Sequence, residues 1–210
     1  NIKLLNGIPM MAYTIKAALS AGIYDCVHVS TDSEEYARIA EGYGAEQLFL
    51  RTPELSGDTA GSWDVVRWTL HKYEEMGKGF DCVTLLQPTS PLREAKDIVN
   101  ASRLMEEREA QAVVAVCPVD HSPLWCNVLP EDGNMKGFLD KAENSRRQKF
   151  PDYYRINGAL YMVRTELIWQ ENMQLYGEKT YAYVMPRERS VDIDDETDFL
   201  VAQAILKSRE

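Results

Sequence analysis

Two carboxylates near the end of the chain have the spacing of a metal site. In the segment 190–196, Asp192 and Asp194 are separated by Ile193. If this segment is extended, both carboxylates project to one face while Ile193 points into the core. Magnesium is usually held by one or two carboxylates and substrate phosphates, so the pair predicts a Mg²⁺ site. The alternative is that these acids only cap the helix expected from residue 195.

A group of four cations at 146–155 stands out in an acidic chain. The planar fork of an arginine such as Arg147 or Arg155 suits a carboxylate or phosphate, although a solvated loop has the same composition. Arg155 lies at the edge of a strand-like segment beside Asn157 and Gly158, where glycine permits close approach of a ligand to the backbone. These residues are therefore candidates for binding an anionic substrate.

A third candidate follows the buried strand expected at 82–87. Gln87, Thr89 and Ser90 stand between this strand and the helix expected at 96–108. Ligands of open α/β sheets bind beyond the carboxyl ends of strands, where an amide and hydroxyls could contact a nucleotide or sugar. A proline-rich turn whose hydroxyls make only local hydrogen bonds remains the alternative.

Helix-like and strand-like patterns alternate along the chain and must position these groups. The spacing predicts helices at 9–21, 33–43, 62–76, 96–108, near 165–172 and at 195–207. It predicts strands at 26–31, 47–50, 82–87, 112–117, 156–163 and 181–185. Continuous apolar strands separated by amphipathic helices indicate an α/β fold with three layers, α/β/α, around a mostly parallel sheet.

The alternation breaks at 118–154, where four prolines punctuate the chain and Asp132-Gly133 suggests a hairpin turn. We interpret this stretch as an insertion in one domain that spans residues 1–210.

Composition narrows the class of protein. The net charge of -10 argues against nonspecific binding to nucleic acid or an anionic membrane, and no apolar run is long enough to span a bilayer. Four dispersed cysteines indicate reduced thiols and a cytoplasmic protein. The chain lacks the glycine-rich signatures of dehydrogenases and P-loop kinases, and its three histidines lack the spacing of a metal site or triad.

Five motifs in order resemble the family of acylneuraminate cytidylyltransferases, which are CMP-sialic acid synthetases, over essentially the whole chain. The motifs are Asn1-Ile2-Lys3, Arg51-Thr52-Pro53-Glu54-Leu55, the run 86–93, Arg147-Gln148 with 154–158, and the run 190–195. The resemblance implies a fold like that of nucleotide-diphosphosugar transferases, and a homodimer formed through the insertion 118–154.

The resemblance also implies roles. Asp192, Asp194 and Arg147 would be catalytic, and the two aspartates would bind Mg²⁺. The residues expected beside the acidic nine-carbon sugar are Gln87, Arg147, Arg155, Asn157 and Tyr161. Those expected beside CTP are Asn1, Arg51, Ser62, Thr89 and Ser90. In such enzymes the anomeric hydroxyl of the sugar attacks the α-phosphate and pyrophosphate leaves, so positioning and charge stabilisation dominate.

One departure concerns the nucleotide. Family members begin with a strand and a basic glycine-rich loop that ends in Lys-Asn, and this sequence starts at the position of that asparagine, Asn1. Because such a loop would hold the triphosphate, we expect residues 1–210 alone to bind CTP poorly, and we expect an unrecorded segment upstream.

Two alternatives remain open. The sugar could be legionaminic or pseudaminic acid. A third sugar, 3-deoxy-manno-octulosonate, is disfavoured. Its synthetases usually carry an acidic Gly-Asp-Glu-type segment where this chain has 87–90. The chain could also be a non-catalytic nucleotide- or sugar-binding relative, although mutually repelling acids such as Asp192 and Asp194 would then gain it little.

Overall fold

The regular structure follows the predicted alternation in most places. The computed structural model describes residues 1–57, 59–139 and 151–209. The helices are α1 (Met10–Ala21), α2 (Glu34–Gly42), α3 (Ser62–Glu75), α4 (Ala95–Glu107), α5 (Thr165–Ile168) and α6 (Glu196–Lys207). The strands are β1 (Leu4–Leu5), β2 (Ile8–Pro9), β3 (Cys82–Leu85), β4 (Ala112–Pro118), β5 (Tyr154–Arg164) and β6 (Thr180–Val184).

The main sheet is mixed, with the strand order β3-β5-β4-β6. Strand β5 is antiparallel to both neighbours, whereas β4 and β6 are parallel. Three of the four strands therefore share one direction, and the long β5 runs against them. The sequence did not predict this reversal, because the direction of β5 depends on which strands it pairs with and not on its own apolar pattern.

Helices cover both faces of the sheet, which confirms the three-layer fold. Ile98 of α4 packs on the same face as Val113 and Met162, together with part of α1. The adjacent strand residues Ala112 and Val163 belong to a second cluster with α3 and α5. Because successive strand residues point to opposite faces, these two clusters lie on opposite sides of the sheet.

Two predicted strands do not form. Residues 26–31 and 47–50 show only one isolated parallel bridge, between His28 and Glu46. The apolar side chains of 26–31 instead line a cleft of about 570 Å³ together with residues of α1, α3 and β3. The prediction for both segments was therefore wrong. The N–H of Glu46 donates to the carbonyl of Val27 and that of Arg51 to the carbonyl of Thr31, but these bonds do not form the continuous ladder that a strand needs.

The insertion contains little regular structure in its described parts. Gly133 donates its N–H to the carbonyl of Pro130 at 2.9 Å with a φ of 68°, so the predicted turn is present. No strands flank it within 119–139, where the only helix is the 3₁₀ turn Pro123–Trp125. The hairpin expected at Asp132-Gly133 is therefore absent from this range. Among the described residues, no helix has the length and apolar character to cross a bilayer.

Candidate functional site

The start of α6 is capped by acids other than the candidate pair. The Asp195 carboxylate accepts the N–H groups of Thr197 at 2.7 Å and Asp198 at 3.0 Å. Asp198 in turn accepts the N–H groups of Asp194 and Asp195 at 3.1 and 3.3 Å. This reciprocal arrangement satisfies the helix N-terminus and leaves the side chains of Asp192 and Asp194 free of capping.

The segment before the cap alternates between core and site. Val191 and Ile193 pack against the apolar cluster around α6, and the N–H of Ile193 donates to the carbonyl of Thr89 at 2.8 Å. The side chains of Asp192 and Asp194 therefore lie on the opposite side of the segment. Asp192 is half-buried, and its Oδ1 has neither solvent contact nor a hydrogen-bond partner.

Gly158 is the point where the amide and the carboxylate meet. Its φ of +72° is in the left-handed region, and a Cβ built there would lie 2.1 Å from Oε1 of Gln87 and 2.8 Å from Oδ2 of Asp192. Both side chains therefore close over the bare backbone of this residue. Only glycine satisfies the conformation and the close approach together.

Arg155 and Tyr161, both on β5, flank this point. Nη2 of the exposed Arg155 donates to the carbonyl of Ser190 at 3.1 Å. Burial raises the pKa of the Tyr161 phenol, and the negative charge of Asp192 adds to that shift. Tyr161 is thus a neutral hydrogen-bonding group at neutral pH, close enough to Asp192 to sense its charge.

Two predicted contact residues are turned away from the site. Ser90 is 0% exposed and donates its hydroxyl to the carbonyl of Asn157 at 3.4 Å. Asn157 is 1% exposed, donates its amide to Oγ of Ser190 at 2.9 Å, and accepts the N–H of Ala159 at 3.2 Å. The expectation of direct ligand contact does not agree with this geometry, because protein groups occupy both side chains. They instead fix the relative positions of the loops.

A buried ion pair supports the acidic segment from behind. Asp97 is 0% exposed and accepts two hydrogen bonds from Arg189, at 2.8 and 2.9 Å, and one from Tyr183 at 3.1 Å. The bidentate pair joins α4 to the residue that precedes Ser190. Neither residue was singled out from the sequence, where both look like ordinary surface charges.

A first cleft, of about 670 Å³, opens beside Gln87 and Tyr161. Its other lining residues come from the start of α3, the end of β3 and the segment after α5. They are Ser62, Trp63, Leu85, Met173, Gln174, Leu175 and Tyr176. Trp63 packs edge-on against Tyr161 with ring centroids 6.3 Å apart. No motif in the sequence points to Trp63, because a lone tryptophan near the start of a helix is typical of packing.

The second cleft is the one of about 570 Å³ lined by residues 26–31, and it shares Ser62 with the first. Asn1 and Arg51, both expected on the nucleotide side, also line it. The Arg51 guanidinium is 3.8 Å from a carboxylate oxygen of Asp32 and donates to Oγ of Ser56 at 3.1 Å. Ser62 and Leu85 line both clefts and therefore stand where the two adjoin.

For two other predicted residues, Thr89 and Arg147, the described part of the structure shows no side-chain contact at the site. Thr89 takes part through its backbone carbonyl, which holds Ile193. Arg147 lies outside the described residues.

Within the described ranges no group of three or more His, Cys, Asp or Glu residues forms a metal cage. The unpartnered oxygen of Asp192 beside Asp194 nevertheless fits an ion such as Mg²⁺ that takes other ligands from phosphate and water.

Comparison with known proteins identifies relatives that use CTP or make CMP-sugars by name. A family model described as cytidylyltransferase matches residues 1–192. The chain is 34% identical to the CMP-N,N'-diacetyllegionaminic acid synthase of Legionella pneumophila, over 99% of this chain and 89% of that protein. It is 32% identical to the N-acylneuraminate cytidylyltransferase of Escherichia coli over its whole length, but spans only about half (48%) of that relative.

A solved structure shares the fold at low sequence identity. The chain superposes on CMP:2-keto-3-deoxy-manno-octonic acid synthetase, a structure complexed with CTP, with a TM-score of 0.73 and 12% identity, covering 100% of this chain and 92% of the other. At this identity the likeness shows the nucleotidyltransferase-like α/β fold alone. The match of the family model over most of the chain, with relatives above 30% identity, shows that this chain belongs to the cytidylyltransferase family.

Proposed function

We propose that the protein transfers CMP from CTP to an acidic nine-carbon sugar and releases pyrophosphate. The observation that carries the proposal is the meeting of Gln87 and Asp192 over Gly158. The amide would hold the sugar and the carboxylate would hold a phosphate through a bound cation, which would bring the two substrates together at this point. Such a transfer needs positioning and charge stabilisation more than a nucleophile of the protein, which agrees with the side chains present.

The two adjoining clefts divide the substrates. Gln87 and Tyr161 face the first cleft and offer hydrogen bonds to sugar hydroxyls, while Arg155 offers a guanidinium to the sugar carboxylate. Asn1 and Arg51 face the second cleft, where we place the nucleotide. Arg147 would add a second guanidinium for the sugar, as the resemblance implies.

Asp192 and Asp194 would hold Mg²⁺. When bound there, the ion would supply charge neutralisation at the phosphates. The protein's own part is to keep the two carboxylates on one side of the segment, which Val191 and Ile193 do by packing into the core. Ser190 and Asn157 keep the same segment against β5.

The first experiment is release of pyrophosphate by the product of the complete reading frame. CTP and Mg²⁺ would be supplied with N-acetylneuraminic, legionaminic, pseudaminic and 3-deoxy-manno-octulosonic acids in parallel. We expect release with N-acetylneuraminic acid. The names of the two relatives make legionaminic acid the second candidate. Folded protein that is silent across the panel would contradict the proposal and favour a binding protein.

We further propose a homodimer formed through the insertion. Val128, Leu129 and Met135 expose 86%, 57% and 57% of their surface there, which is unusual for apolar side chains grouped within a few residues. A cytoplasmic location fits the use of CTP and the four free cysteines.

Replacing Val128 and Leu129 together by Glu should convert a dimer into a monomer, because paired charges would be buried at the interface. Sedimentation velocity of the double variant measures the change. Leu200→Glu, an equally apolar and 55% exposed position on α6, is the control and should leave the dimer intact. A wild-type monomer, or a double variant that remains dimeric, would exclude this interface.

A further inference from the structure

Arg93 is a buried cation that the proposed reaction does not use directly. It is 3% exposed and follows the Gln87–Ser90 turn. Its Nε donates to the carbonyl of Ala159 at 2.7 Å, and its Nη2 donates to the carbonyl of Gln87 at 2.9 Å. The sequence offered a signal for it only as the last residue of the run 86–93.

A third contact joins the guanidinium to α1. Nη1 of Arg93 lies 3.3 Å from Oγ1 of Thr14, and that hydroxyl is itself 3.4 Å from the carbonyl of Gln87. One planar group therefore connects the end of β3, the middle of β5 and a helix on the face of the sheet. Ala159 directly follows Gly158, so two of the three contacts reach residues at the centre of the candidate site.

The hydrogen bonds of Arg93 go to neutral oxygens, and the Asp97 carboxylate stabilises its charge without a direct ion pair. Within the described residues it forms no ion pair with a carboxylate, while Asp97, one turn along α4, is bound to Arg189. Burial lowers the pKa of Arg93 to about 10, so it stays charged at neutral pH. A purely structural tie would be better served by a directly paired cation or an apolar residue, because a buried ion without a salt-bridge partner is unfavourable. The presence of arginine at this position is better explained by its planar guanidinium, which holds several donors in a fixed geometry.

We propose that Arg93 is a positioning residue, which holds Gln87 against Asp192 across Gly158 by fixing the backbone carbonyls of Gln87 and Ala159. This rests on the proposed CMP transfer for its effect on rate. It is distinct from a substrate contact, since all three observed contacts are to protein atoms and the side chain is inside the fold.

Arg93→Lys separates charge from geometry. Lysine keeps the charge, but its single ammonium cannot span acceptors on three elements in the way that the fork does. We expect kcat/KM for the sugar to fall about 100-fold, because displacing a reacting group by about 1 Å has an effect of that size. The KM for CTP should change little, since Gln87 faces the first cleft.

A double-mutant cycle with Gln87→Ala tests whether Arg93 acts through the side chain of Gln87. If Arg93 acts through Gln87, Arg93→Lys should reduce kcat/KM of the Gln87→Ala variant by less than about threefold, because the side chain that it positions is already absent. Equal fold reductions in both backgrounds would overturn the proposal. Arg164→Lys, which alters a guanidinium at the other end of β5 bound to the carbonyl of Ala110 at 3.4 Å, is the control and should keep full activity.

A readout without substrate keeps this inference separate from the proposed reaction. Amide hydrogen exchange of Arg93→Lys should speed up at Ser90, whose N–H bonds to the Gln87 carbonyl at 3.3 Å, and at Ile193, whose N–H bonds to the Thr89 carbonyl. Exchange in β4 should stay at the wild-type rate. The positioning role would be overturned if exchange became faster over the whole chain, or if it stayed at the wild-type rate at these two amides. Either result would count even if no sugar is ever turned over.

A milder variant covers the case in which Arg93→Lys does not fold. Thr14→Val is nearly isosteric and removes the hydroxyl that contacts both Arg93 and the Gln87 carbonyl. We expect a smaller loss of kcat/KM that again disappears in the Gln87→Ala background. A loss that persists unchanged in that background would contradict the proposal.

Discussion

Replacing Asp192 by Asn is expected to lower kcat at least about 10²–10³-fold while the fold remains intact. The carboxylate has one oxygen over Gly158 and another that is buried without a hydrogen-bond partner. Asparagine keeps the shape but removes the charge that would hold a cation and the phosphates. The described residues form no hydrogen bond to this side chain that the change would remove, so stability should not fall. Loss of an unpaired, half-buried charge should leave it equal or higher.

The measurement is pyrophosphate release at saturating substrates over a range of Mg²⁺ concentrations, together with thermal unfolding followed by circular dichroism. Asp194→Asn should behave in the same way, because its side chain lies on the same side of the segment. Asp195→Asn is the matched control. It removes one charge from the same run, but asparagine caps a helix as well as aspartate does, so activity should persist. Normal magnesium-dependent turnover by Asp192→Asn would refute the assignment.

The parts of the fold that were predictable depend on local pattern. Helices α1, α3, α4 and α6 lie within about two residues of their predicted ends, because apolar spacing and terminal residues determine a helix largely by itself. Strand β5 was located, but its direction was not predicted, since direction depends on which strands it joins. Residues 26–31 have the composition of a strand, but their few backbone hydrogen bonds to 46–51 do not form a continuous ladder.

The candidate site divides in the same way. The alternation of Asp192 and Asp194 with apolar residues could be read from the sequence. The helix cap does not compete with the proposed metal site, because Asp195 and Asp198 make the cap. The inward orientation of Ser90 and Asn157 was not legible. A polar side chain in a turn can face solvent, ligand or another loop, and only the packing of distant segments decides which.

The meeting of Gln87, Gly158 and Asp192 is the strongest example of a feature that only the folded chain shows. Three separate segments converge on one glycine, and each motif by itself gives only a residue type. The glycine was noted for permitting close approach of a ligand. In the structure it permits the close approach of two protein side chains. A change at Gly158 therefore tests the geometry of the site without removing any of its chemical groups.

Gly158→Ala is expected to lower kcat/KM about 100-fold, because the new methyl group would displace the Gln87 amide and the Asp192 carboxylate from 2.1 and 2.8 Å contacts. The variant should also be less stable by at least about 1–2 kcal/mol, since alanine is unfavourable at positive φ and the methyl group must push two side chains aside. Steady-state kinetics and urea unfolding measure the two effects separately.

Gly22→Ala distinguishes displacement from backbone strain. Gly22 has a similar φ of +66°, but a Cβ there would meet nothing within 4 Å. This control should lose only the stability that positive φ costs alanine, about 1–2 kcal/mol, with unchanged kcat/KM. If Gly158→Ala is as active as Gly22→Ala, the side chains of Gln87 and Asp192 do not need their close approach for turnover. If it is as inactive as Asp192→Asn although the carboxylate is still present, the position of the acid matters as much as its charge.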